Sequence, residues 1–419
     1  MSSPPATPET APPKGALLII FLIVLLDLLG FGIIIPLLPL YAKAYHATPL
    51  EIGVLFSVYS VCQFVASPPL GALSDKHGRR GVLVYSQFGS VIGYVILGLV
   101  MQVHWTSAAL ALELFYLSRV IDGISGGNIS TAQAYIADVT TAENRARGMG
   151  VIGAAFGIGF AVGPALGGLL AAWHPALPGY FAAAASFTAM LMTYRRLPES
   201  RVHRPTESAA WLHPNRFLPV LKNRRLSQLL LIGFISMAGF AMMESMMALF
   251  LARPDTFNWH PLKVGLYYGY IGLVIAMVQG GLIGRLTRRF GDWPFAILGP
   301  LLVSIGMANL VYVGFHPILF LLMAGGLINA TGRSLQTPTL YALISKNADA
   351  RSQGVAFGLN QGLSSLARAT GPAIAGAVYA YHPTSPFALA AIISILAALW
   401  TGVLRANSTP RPQVTAART

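Results

Sequence analysis

Six charged residues stand in stretches otherwise too apolar for them: Asp27, Arg119, Asp122, Glu244, Arg333 and Arg368. A charge at mid-membrane depth costs roughly 2.5–3.5 kcal/mol on insertion scales, and is tolerated where it faces protein interior or a water-filled cavity. Asp27 is followed by Gly30, Phe31, Gly32 and Pro36. A carboxyl balanced between an apolar surround and a guanidinium can bind and release a proton near neutral pH. Arg119 is the natural modulator, and Arg119, Asp122 and Gly126 share a helical face by their i, i+3, i+7 spacing. Asp27, Arg119 and Asp122 are therefore the candidate proton-coupling group. The competing reading is a fixed ion pair bracing two helices, and Asp122 is equally well a structural partner of Arg119.

Glu244 lies in FAMMESMMALF, where Phe240, Glu244 and Met247 share a face and Met242, Met243 and Met246 surround it. Methionine is flexible and polarizable and lines promiscuous surfaces, so a carboxylate there suits an amphiphilic or cationic drug. Met-rich packing, with Glu244 paired to Arg333 or Arg368, accounts for the same residues. The two arginines either receive an anionic substrate or hold Glu244, and charge balance favours the second. Phe31 and the amides Gln63, Asn128 and Gln279 complete the candidate substrate-binding set, with Asn360 and Gln361 able to add hydrogen bonds. An amide within a span is as often glue between helices.

These residues need long apolar elements to hold them. The chain has 419 residues, 55% hydrophobic and 10% charged, against about 25% charged in soluble domains. Its mean hydropathy is +0.63. Spans need about 20 apolar residues each. Twelve are expected, at 15–41, 51–73, 81–102, 106–139, 148–173, 179–197, 227–252, 261–285, 293–314, 317–344, 352–381 and 384–405. All are expected to be helices, because lipid leaves each backbone polar group to be bonded within its own segment. The expected fold is an all-α integral membrane protein of two six-helix halves, 15–197 and 227–405. A Pro- and Arg-rich linker at 198–226 joins them, flanked by tails at 1–14 (read as disordered) and 406–419. The net charge is +14. With both termini cytoplasmic, most Lys and Arg fall on the cytoplasmic side, while the opposite loops hold only Lys43, Arg253 and Lys263. That asymmetry is the positive-inside pattern and removes the need for a nucleic-acid partner. The implied address is an inner or plasma membrane, with the lipid bilayer as partner.

The halves repeat each other. GALSDKHGRR at 71–80 aligns with GRLTRRFGDW at 284–293, both following the second span of their half. Gly126 and Gly332, Tyr135 and Tyr341, and Gly163-Pro164 and Gly371-Pro372 also align at nearly constant offset. Repeats of this kind belong to transporters that rock one half against the other.

On these residues the chain resembles the major facilitator superfamily, and within it the twelve-span drug:proton antiporters of the tetracycline-exporter type. DLLGFGIIIPLLP at 27–39 is similar to that group's first-span motif, and GALSDKHGRR to the superfamily's signature loop. RVIDGISGG at 119–127 is similar to the fourth-span motif, and GFAVGPALGG at 159–168 to the fifth-span antiporter motif. The resemblance implies a conformational latch of Gly71, Asp75, Gly78, Arg79 and Asp138 holding the cytoplasmic side closed. Arg288 stands where the first repeat has Asp75, so the latch is expected in one half only. A tight seal between the halves is expected at Gly159, Gly163, Pro164, Gly167 and Gly168. It also implies a monomer. Classical tetracycline exporters carry acids in the third and ninth spans, where this sequence has Gly93 and Val303, so the resemblance carries the antiporter class and not tetracycline itself.

The sequence has no Walker-type phosphate loop, its nine His are scattered, and its single cysteine, Cys62, precludes an intrachain disulfide. No cofactor, metal or catalytic residue is implied. The expected function is proton-coupled export of a hydrophobic small molecule. A proton symporter or uniporter importing a nutrient is the alternative, and a membrane sensor lacks the cytoplasmic modules it would need.

Overall fold

The structure, a computed structural model, describes residues 16–103, 105, 107–140, 145–200, 218–348 and 353–407. The expected tail at 1–14, the linker at 201–217 and the end of the chain at 408–419 lie outside the described residues. Within them every regular element is helical. The first half holds α1 (Ala16–Ile34), α2 (Leu38–Ala44), α3 (Pro49–His77), α4 (Arg79–Gln102), α5 (Ala108–Ser125), α6 (Asn128–Val139), α7 (Arg145–Trp173) and α8 (Leu177–Arg196). A short α9 (Leu218–Lys222) leads into the second half. That half holds α10 (Arg224–Leu251), α11 (Pro261–Met277), a π-helical segment (Val278–Leu282), α12 (Ile283–Phe290), α13 (Trp293–Phe315), α14 (Leu319–Asn347), α15 (Gln353–Tyr379) and α16 (Ser385–Ala406).

Twelve runs result once broken elements are joined, and the breaks have local causes. The first run divides at Ile35–Leu37, where Pro36 supplies no N–H and Leu37 bonds back to Ile34 at 3.0 Å. The fourth divides at Gly126-Gly127, between α5 and α6. The eighth contains the π-helical segment, carrying Gly280 and Gly281. Seven helices among the described residues are long and apolar enough to cross a membrane by length and composition. The more polar runs include α5, α14 and α15, which carry Arg119, Asp122, Arg333 and Arg368.

The halves meet chiefly along two helix pairs, α3 with α15 and α7 with α11, with lesser contacts of α10 on α2 and α3. We call the end carrying Gly78 and Gly291 the linker end and its opposite the far end. Near the far end the backbones are in direct contact. A Cβ on Gly265 would lie 2.5 Å from the Pro164 carbonyl, and one on Gly168 would lie 2.7 Å from the Pro261 carbonyl. Gly53 likewise abuts Pro372, and Gly376 abuts Pro49. Small residues permit such approach. Midway, Gly362 still has Phe64 within 3.7 Å, but toward the linker end Gly71, Gly280, Gly281, Gly284, Gly354 and Gly358 have nothing within 4 Å of a built Cβ. The seam is closed at the far end and parted at the linker end.

Candidate substrate and proton path

Asp27 sits on α1 among uncharged partners. Its Oδ2 accepts from Asn128 Nδ2 at 3.0 Å and from Gln87 Nε2 at 3.4 Å, while Oδ1 is buried without a hydrogen bond. Asn128 is the first residue of α6, so the Gly126-Gly127 break aims its amide at Asp27. Gln87 is fully buried on α4, and its Oε1 accepts from Thr193 Oγ1 at 2.8 Å. Gln87 was absent from the sequence candidates. An amide on a predominantly apolar span gives no signal until the neighbouring helices are placed.

Arg119 pairs with Asp122 at 3.2 Å, and both side chains are 3% exposed. Its guanidinium also faces the rings of Tyr59 and Tyr94 at 6.0 Å. No ion pair joins Arg119 to Asp27, which corrects the brace between spans one and four: the partner one turn along the same helix captures the guanidinium first. Asp122 packs on Gly93, where an added Cβ would meet the Asp122 Cβ at 3.2 Å. A side chain at the third-span position would crowd the acid that the fourth span places beside it. Val303 is buried within the second half.

Tyr59 links this group to the interior. Phe31 packs tilted against it at 5.0 Å and edge-on to Phe160 at 6.0 Å, and Gln63 Nε2 donates to the Tyr59 hydroxyl at 3.3 Å and to the Gly126 carbonyl at 2.9 Å. In the second half Arg333 lies over the Phe240 ring at 4.5 Å and donates to the Met237 thioether at 3.0 Å. Arg368 donates to Ser365 Oγ at 3.2 Å. Among the described residues neither arginine makes an ion pair with Glu244. The expected charge balance by direct pairing is therefore corrected. The three groups come from three helices, α10, α14 and α15, whose spacing leaves them apart. Met247 is 1% exposed and belongs to the apolar core with Met242 and Met246, so it does not line a path. Gln279 is exposed on the π-helical segment and makes no hydrogen bond with the charged groups.

At the linker end Arg79 bonds Asp75 at 2.7 Å, Asp138 at 3.0 Å and Ser74 Oγ at 2.6 Å. Gly78 turns the chain at φ 99°, a left-handed value glycine favours. Glu199, another residue outside the sequence candidates, accepts from the backbone N–H groups of Arg79 and Arg80 at 2.8 and 3.1 Å, satisfying the α4 N-terminus. Gly71 has no neighbour of this kind. All these partners belong to the first half or the start of the linker. The cluster is intact while the linker end is parted, so it does not by itself hold that side closed. The second repeat has no counterpart of Asp75, but it carries a pair of its own. Gly291 turns at φ 76° in the second repeat, and Asp292 after it pairs with Lys346. The acid and base have exchanged places relative to Arg79 and Asp138, which a search for conserved charge sign along the repeat misses.

The small-residue run divides its contacts. Gly159 meets Leu28, Gly163 meets Gly32 and Gly167 meets Ile33, all on the first run of the same half. Gly168 and Pro164 face α11 across the seam, together with Ala161 and Ala165, which lie against Gly272 and Gly269. Two six-helix halves around a charged interior, closed at one end, define the scaffold of a membrane transporter.

The chain belongs to the Major Facilitator Superfamily, which it matches over 20–315 and 280–419. It is 32% identical to the class C tetracycline resistance protein of Escherichia coli, over 91% of this chain and 93% of that one. It is 27% identical to multidrug resistance protein 2 of Bacillus subtilis strain 168, over 90% and 93%. Among solved structures it resembles the human organic anion transporter MFSD10 (TETRAN) with a TM-score of 0.68 and 25% identity, covering 94% of this chain and 100% of that one.

Proposed function

We propose that the protein exports amphiphilic organic molecules, drugs among them, in exchange for protons by alternating access. Asp27 is the proton carrier. The observation that carries this reading is that Asp27 is held by two neutral amides, so it can gain or lose a proton without breaking an ion pair. Arg119 is occupied by Asp122. Relatives named for tetracycline resistance and multidrug resistance support drug efflux as the direction of transport. With both termini cytoplasmic and the protein acting as a monomer in the inner membrane, the parted linker end faces the cytoplasm and loads substrate there.

The energetics suffice. At 100 mV each charge is worth about 2.3 kcal/mol, and tenfold in concentration is worth about 1.4 kcal/mol. One inward proton then sustains a gradient of roughly fifty-fold from these two values. The test is transport in everted vesicles, where only exchange alkalinises the lumen when substrate is added. Asp27→Asn is expected to insert normally and lose proton-driven efflux. Retained lumen alkalinisation in that variant would remove Asp27 from the mechanism, and acidification would replace exchange by symport.

A further inference from the structure

A small cavity of about 30 Å³ lies between α10, α14 and α15, lined by Arg333 together with Ser236, Gln336, Tyr341, Asn360 and Ser364. No acidic side chain lines it. Its hydroxyls and amides are donors as well as acceptors, and Gln336 is oriented by its 2.7 Å bond to Ser236 Oγ. Arginine offers five N–H donors in a planar fork. The hydrogen bond Arg333 makes among the described residues goes to a thioether, a weak acceptor. One water needs roughly 10–15 Å³ of such space, so the cavity admits a headgroup and not a whole drug.

We propose that this cavity is an oxyanion subsite, and that the transported molecules include amphiphilic monoanions whose carboxylate or sulfonate docks on Arg333. The charge distribution agrees. At mid-span in this half Arg333 and Arg368 are accompanied by one acid, Glu244, and among the described residues no ion pair joins it to either, so these three groups carry one cation in excess. A guanidinium held partly out of water without an anion is costly, and a substrate anion supplies what the protein withholds. The Phe240 ring against Arg333 gives the apolar body of the molecule a surface beside the headgroup. Asp27 lies on α1 in the other half, so proton and anion do not occupy one site.

The inference deepens the export reading and is tested separately from it. Purified full-length protein in detergent is titrated with a matched pair of probes, radiolabelled 2-naphthoate and 2-naphthyltrimethylammonium. The protein is expected to bind the carboxylate at least tenfold more tightly, and Arg333→Gln to erase that preference while Arg333→Lys keeps part of it. Equal binding, a preference for the ammonium, or no binding of either probe overturns the proposal. So does a carboxylate preference that survives in R333Q. The wild-type comparison requires no variant. Should R333Q not purify as a single species, Thr337→Glu, which sets a carboxylate at the same cavity, is expected to abolish the preference, and its persistence overturns the assignment. Proton-driven efflux is measured apart, so binding without transport refutes the exchange reading and leaves the subsite standing.

Discussion

Asp27, Gln87 and Thr193 form a chain of hydrogen bonds across three helices, and its middle link is the sensitive one. Gln87→Leu removes one partner from each end, while the Thr193 hydroxyl keeps the Ala189 carbonyl and Asp27 keeps Asn128. A hydrogen bond is worth about 0.5–1.5 kcal/mol net, so thermal unfolding in detergent should shift down for this variant. Glu199 is a second residue of this kind. Glu199→Ala frees two amide N–H groups at the start of α4, and loss of such a cap costs about 0.5–2 kcal/mol. An unchanged melting temperature would show that solvent replaces the carboxylate there. At this scale the sequence was legible where a charge violated its surroundings, as at Asp27 and Glu244. It was illegible where ordinary polar residues become important through neighbours distant in the chain, as with Gln87 and Glu199.

The two turns after α3 and α12 show what happens to a repeat at the level of elements. Both keep a glycine in the left-handed region and both follow it with a charged residue, but the sign is reversed. The two pairs differ in burial. Arg79 and Asp138 are 6% and 28% exposed, Asp292 and Lys346 10% and 68%. A charged hydrogen bond shielded on both sides is worth about 1.5–3 kcal/mol, while a pair whose ammonium stands in water is worth about 0.2–1 kcal/mol, because solvent and salt replace it. Asp138→Asn should therefore destabilise the protein more than Lys346→Gln, and raising salt should erase the smaller effect first. Thermal melts of both variants at two ionic strengths test this order, and a larger loss in Lys346→Gln contradicts it. The helix breaks followed the same logic of partial legibility. Pro36 announced the division of the first run, whereas nothing in VQGGL announced a π-helical turn instead of a simple bend.

For the whole molecule the governing contrast is a seam of touching backbones at one end and separation at the other. The two-half architecture could be read from the repeats, because the same turn and helix motifs recur at nearly constant offset. The side on which the halves touch could not, since glycines occur along the full length of α3, α7, α11 and α15 and only their partners distinguish them. Replacing Gly265 by Leu puts a side chain where the Pro164 carbonyl already lies within 2.5 Å of a built Cβ. That variant should favour molecules parted at the far end. Spin-label distances across the far end should lengthen and those across the linker end shorten. Unaltered distances at both ends would mean that the helices yield locally instead of rocking as bodies.

Cys62 is half-buried on α3, and a Cβ built on Gly123 of α5 would come within 2.9 Å of its Cβ. The chain carries a single sulfhydryl, and it stands where two helices lean on each other without spare volume. An alkylating maleimide there acts as a wedge, prising the helix that bears Arg119 and Asp122 from its neighbour. Thiol poisons should therefore inactivate the wild-type protein and spare Cys62→Ala, so that an accident of packing doubles as a built-in chemical fuse.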